Sequence, residues 1–142
     1  MKKLIKNKHE DIFAMGKVNK GKDDPVVIMV YEGEEGGSPH MHIRYDGNKI
    51  SCVDLTKPRY SKHHDEMRPF TKQAKKEFIK IMKSDCRSPI EDAFGNIVRG
   101  TGYQYAVYLW IAAHENFSYD KFNLDDSGLP IMPDYSELIT RK

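Results

Sequence analysis

The stretch Pro39-His40-Met41-His42-Ile43-Arg44-Tyr45 limits what this chain can fold into more than any other, because its polar and apolar residues alternate without a break. Successive side chains of a β-strand point to opposite faces, so Met41, Ile43 and Tyr45 share one face and His40, His42 and Arg44 the other. The pattern predicts a strand that plugs a core with one face and turns its two imidazoles outward together, about 7 Å apart at Cα. Asp46-Gly47-Asn48 is a hairpin signal leading into a partner strand over Lys49–Leu55. The turn length decides the neighbours of the histidines. A two-residue turn places Ser51 and Val53 on their face, whereas a three-residue turn swaps the parity and brings Cys52 beside them.

The flanking segments extend this hairpin into a domain. Val26-Val27-Ile28-Met29-Val30-Tyr31, entered from Pro25, is apolar on both alternating faces and reads as the most buried strand. Ile12–Val18 offers a further strand, so residues 1–20 are an edge strand or a partly ordered arm. From Thr71 the period becomes helical: Ala74, Phe78, Ile81 and Met82 gather in one sector and Lys72, Lys75, Lys76, Lys80 and Lys83 in the opposite one. Ser88-Pro89-Ile90-Glu91 has the form of a capping box with proline in the first turn, which predicts a short helix near 89–94 stopped by Gly95. Thr101-Gly102-Tyr103-Gln104 is a second such box, opening a helix to about Asn116 that is apolar nearly all round. Phe117, Tyr119, Phe122, Leu129 and Ile131 anchor the remainder to the body, and Asp134 caps a last helical turn. The expected fold is α+β: an antiparallel sheet of three to four strands packed against two main helices, as a single domain over residues 1–142.

Composition excludes several classes. With 39% hydrophobic and 31% charged residues the chain can fill one core and solvate the rest, unlike collagen-like or low-complexity sequences. Its longest apolar run, Ala106–Ala113, is far too short to cross a bilayer, and Leu4-Ile5 is the only apolar pair before Ile12, so no signal-peptide core is present. Cys52 and Cys86 are spaced neither as a zinc knuckle nor as a redox dithiol and read as two reduced thiols. The expected location is the cytoplasm, with no membrane contact. The net charge is only +2, yet residues 57–87 carry ten basic side chains against four acidic, and residues 88–142 four against eight. Such asymmetry suits an anion-binding face or attraction between two parts of one fold.

Two constellations carry chemistry. Imidazoles at positions i and i+2 of one strand face suit chelation of a divalent ion, attack on a phosphate with Arg44 as the anion grip, or a plain polar surface. A metal site over His40 and His42 needs further ligands, and His63, His64 and Asp65 are the nearest sequence source, with Glu34 or Glu35 as loop carboxylates. The second constellation is the lysine sector Lys72, Lys75, Lys76, Lys80 and Lys83, preceded by Lys57, Arg59, Lys62 and Arg68, which suits salt-sensitive contact with phosphates or an acidic partner. Tyr60 and Phe70 are packing anchors in one reading and base-stacking platforms in the other. His114 shares a helical side with Tyr103, Val107 and Trp110 and reads as a buried histidine bonded to backbone.

The His40-x-His42 strand also resembles parts of three families. Histidine-triad nucleotide hydrolases carry His-x-His-x-His on a strand, but Arg44 stands at the third position here, and a hairpin and helices follow. The first cupin motif is similar around His40, His42 and Asp46, but cupins carry Glu there and a second histidine strand later. The broadest resemblance covers residues 26–83. Ser38-Pro39-His40-Met41-His42-Ile43, with its apolar strand before and lysine-rich helix after, is similar to the Pro-Pro-His-Phe-His-Ala hallmark of the small bacterial family called domain of unknown function 4160. That resemblance implies a compact α+β domain of bacterial or phage origin, from gene neighbourhoods of toxin–antitoxin or defence character. The expected function is accordingly an intracellular interaction or regulatory protein, binding a protein or nucleic-acid partner with the histidine face and the lysine helix. The alternative is an enzyme, a metal-dependent hydrolase or phosphoesterase built on His40, His42 and Arg44 with a divalent metal as cofactor.

Overall fold

A computed structural model describes residues 16–19, 25–31, 38–61 and 69–141. Its centre is a four-stranded antiparallel sheet in the order β1-β2-β3-β4, formed by Gly16–Lys17, Val26–Val30, His40–Tyr45 and Lys49–Asp54. Between β3 and β4, Tyr45 pairs with Lys49, which leaves three residues in the turn. Asp46 (φ 49°) and Gly47 (φ 85°) both adopt the left-handed conformation, one that glycine enters freely and aspartate tolerates better than most residues. Of the expected N-terminal strand, Gly16–Lys17 pairs with β2, and residues 12–15 lie outside the described residues.

One face of the sheet carries the main core. Val26, Ile28, Val30, Met41, Ile43, Tyr45 and Val53 pack there against two helices, α1 (Lys72–Lys83) and α2 (Gly102–Ala113). The apolar sector of α1 is buried at Ala74, Phe78 and Met82, and Thr71 caps its start by accepting from the Ala74 amide (3.2 Å). The capping box of α2 closes in both directions: Gln104 N donates to Thr101 Oγ1 (3.3 Å), and Thr101 N donates to Gln104 Oε1 (3.0 Å). This helix ends at Ala113 with His114 as its cap, one turn short of the expected Asn116.

Residues 89–94 correct the sequence reading. They are not helical; a second antiparallel sheet runs there, of β5 (Asp85–Glu91) and β6 (Ile97–Thr101). Its turn is set by Asp92, whose Oδ1 accepts from Phe94 N and Asn96 N (2.9 Å each), and by Gly95 at φ 86°. The residues that imitate a helix cap are therefore strand and turn residues, and a register shift between Asp85 and Pro89 accommodates the proline.

The C-terminal segment straps the domain. Tyr135, capped by Asp134, and Leu138 are buried in the core, Thr140 bridges to Phe70, and Arg141 N donates to the Phe70 carbonyl (2.9 Å). Phe122 is buried as expected, whereas Ile131 is 46% exposed. No helix among the described residues is long and apolar enough to cross a membrane.

Candidate metal centre

The histidine face is covered, and this overturns the expectation of an outward-projecting pair. His40 is 1% and His42 8% exposed, while Arg44, next in the same row, is open to solvent. The Trp110 ring of α2 lies 5.1 Å from the His40 ring, and the edge of the Tyr31 ring meets His42 at 4.5 Å. The two imidazoles are themselves 5.5 Å apart between centroids. Alternation along β3 is thus real, but it separates two buried environments at this end of the strand. The expected recognition surface of His40, His42 and Arg44 loses its histidines to the interior, and only Arg44 remains accessible.

The three-residue turn brings in a third candidate ligand. Cys52 on β4 is the direct partner of His42, so the thiol and the imidazole share a face at the short cross-strand spacing of an antiparallel pair. His40, two residues along the same strand, completes a triangle. One ligand atom from each of His40, His42 and Cys52 falls within 4.8 Å of the others, and all three residues are buried. Nδ1 of His40 donates to the Ser38 carbonyl (2.9 Å), which leaves Nε2 as the nitrogen with a lone pair to offer. Cys52 makes no disulfide.

Among the described residues, no carboxylate joins this group. Asp54 pairs with His40 across the ladder and is buried, but its oxygens are engaged by its own loop: Oδ1 accepts from Thr56 N and Oγ1 (2.7 Å each) and Lys57 N (3.2 Å), and Oδ2 from Arg59 Nε (3.2 Å). Arg59 of the expected basic approach is therefore an internal partner. His63, His64, Asp65, Glu34 and Glu35 lie outside the described residues, as do Lys62 and Arg68.

A ladder of rings continues from this triangle into α2. Trp110 stacks on His114 at 3.7 Å, and Nδ1 of His114 donates to the Trp110 carbonyl (2.8 Å), one turn back along the helix. His114 is buried and bonded to backbone, as its position on the helix indicates. Tyr60 and Phe70 meet edge to face at 5.8 Å, and Tyr60 Oη accepts from Phe70 N (2.9 Å) and donates to the Ile139 carbonyl; these rings are packing anchors.

Among the lysines, Lys72, Lys76, Lys80 and Lys83 are exposed. Lys75 leaves the set, because its Nζ donates to the carbonyls of Ser136 (2.9 Å) and Leu138 (3.0 Å) and pins the C-terminal strap to α1. Asp134 of that strap titrates below the ordinary carboxylate range, chiefly through the Ser136 hydroxyl and amide and secondarily through Lys83 and Lys75.

Comparison with protein-family models, with curated proteins and with solved structures finds no match. The likeness to domain of unknown function 4160 rests on the Pro39-His40-Met41-His42 strand and its surroundings alone.

Proposed function

We propose that this protein is a metal-binding interaction module, in which His40, His42 and Cys52 hold one transition-metal ion that ties β3 to β4. The observation that carries the reading is the convergence of two imidazoles and a thiol within 4.8 Å at buried positions. Imidazole and thiolate are borderline-to-soft donors that favour zinc and its transition-metal neighbours over magnesium or calcium. Burial of the ligands argues against the hydrolase or phosphoesterase alternative, since a substrate would have to reach an ion behind residues that are 1–8% exposed.

Cobalt(II) titration tests the reading, because a cobalt–thiolate bond gives an intense charge-transfer absorption that imidazole ligation alone does not. Stoichiometric development of that band in the wild type, and its loss in Cys52→Ser, is the expected result. A wild type of native circular dichroism that develops no band contradicts it.

A second observation favours a polyanionic partner for the same module: four exposed lysines of α1 lie in one sector opposite its buried stripe. Phosphate contact through that sector predicts nucleic-acid affinity that falls steeply with salt and is lost when Lys72, Lys76, Lys80 and Lys83 are changed to Gln. Salt-insensitive binding, or binding that survives the fourfold change, rules this out. Bacterial or phage origin and a role in toxin–antitoxin or defence systems remain part of the proposal through the strand-motif resemblance.

A further inference from the structure

We propose that the centre is a copper(I) site completed by the thioether of Met29, an assignment that rests on the metal-binding reading above. Met29 is the Cα partner of His42 across β2–β3, just as Cys52 is its partner across β3–β4. Three neighbouring strands thus lay Met29, His42 and Cys52 in one row on one sheet face, with His40 beside them. Met29 is buried at 4% exposure yet stands outside the main hydrophobic core, on the opposite face of β2 from Ile28 and Val30. Its sulfur is fixed next to the histidines: Tyr31 Oη donates to Met29 Sδ at 3.5 Å, while the Tyr31 ring meets the His42 ring at 4.5 Å.

Two imidazoles, a thiolate and a thioether form a donor set that favours copper, because thioether sulfur is a soft ligand that zinc sites do not use. Charge points the same way. Copper(I) with one thiolate and neutral imidazoles makes a centre of zero net charge, whereas zinc(II) on the same ligands leaves an uncompensated positive charge. Among the described residues, the rings of Tyr31 and Trp110 lie against the site, and the carboxylate in register with His40, Asp54, is already committed to Thr56, Lys57 and Arg59. Burying a net charge there is expensive, and burying a neutral centre is not. On binding, the Cys52 thiol releases its proton to solvent as the copper–sulfur bond forms, and no electron is transferred.

The test is anaerobic competition for copper(I) against bicinchoninate, run beside a zinc(II) competition on the same preparations of wild type and Met29→Leu. Leucine conserves volume, so the variant is expected to fold, with circular dichroism as the check. The expected result is a copper(I) affinity weakened about tenfold or more in Met29→Leu, with zinc affinity unchanged. If Met29→Leu leaves copper(I) affinity unchanged, or weakens both metals alike, the copper assignment is overturned and the metal centre stands. A wild type that captures neither metal overturns both.

Discussion

Cys52 reaches the histidines because Asp46 and Gly47 both turn left-handed, and a single residue fewer in that turn would have sent the thiol to the other face of the sheet. Asp-Gly announces the hairpin in the sequence, but its length decides parity and is not written in residue types, so both registers were compatible with the same letters. The burial of His40 and His42 was hidden for a related reason. Alternation along β3 tells which residues share a face, whereas cover comes from Tyr31 and Trp110, the latter distant in sequence. A signal was present: a helix over Gly102–Ala113 that is apolar nearly all round must be covered on more than one side. At this scale the buried tyrosines give a clear expectation. Tyr103 donates to the Leu55 carbonyl (2.6 Å) and Tyr135 to the Asp54 carbonyl (2.7 Å), both inside the core. Burial, reinforced by neighbouring charge, raises both phenols above the ordinary value of 10.0. Raised folded values mean that their contribution to stability is complete below about pH 10 and is lost as pH climbs above it. Spectrophotometric titration should show Tyr103 and Tyr135 ionising only together with alkaline unfolding. Free ionisation of every tyrosine in the folded state near pH 10 would contradict this burial.

At the scale of elements, the parts with strong periodicity were legible: β2, β3, β4 and both helices lie close to where hydrophobic pattern and caps put them. The β5–β6 hairpin was not, because Ser88-Pro89-Ile90-Glu91 and Gly95 satisfy the local grammar of a helix while forming a strand and a turn. What decides between the two is pairing with Ile97–Thr101, a tertiary fact beyond a four-residue window. The junction of this hairpin with α2 also packs against the C-terminal end of α1. A Cβ placed on Gly102 would stand 2.4 Å from the Ile81 carbonyl oxygen, and Gly102 N donates to the Ser84 carbonyl (2.8 Å). Gly102→Ala therefore has to push α1 and α2 apart, and a loss of about 1–3 kcal/mol is expected in chemical denaturation. Thr101→Ala, which removes the cap alone, is expected to cost about 1 kcal/mol. An alanine at 102 that is neutral, or milder than the one at 101, would mean that the helices are not in contact there.

For the whole molecule, the proposed centre would make ion binding and folding one equilibrium. The proposed ligands come from adjacent strands of the central sheet, so an ion that binds the folded chain and not the unfolded one must raise its melting temperature. At free metal about 100 times the dissociation constant the gain is about 2.7 kcal/mol. The effect should fade as pH falls, because His40, His42 and Cys52 must all be deprotonated at the atoms that bind. The same melting scan on Cys52→Ser should show no metal-dependent rise, and an equal rise in that variant would place the ion elsewhere. The lysine sector of α1 belongs to this scale too. One of its five members, Lys75, serves the fold by holding the C-terminal strap, which leaves four exposed to solvent.

The central claim is that His40, His42 and Cys52 hold an ion, and elemental analysis of tag-free purified protein tests it most directly. About one transition-metal ion per chain in the wild type, and none in a folded Cys52→Ser variant, is the expected outcome. A folded wild type that carries no stoichiometric metal as purified, and takes up none from added zinc or anaerobic copper(I), would contradict the account.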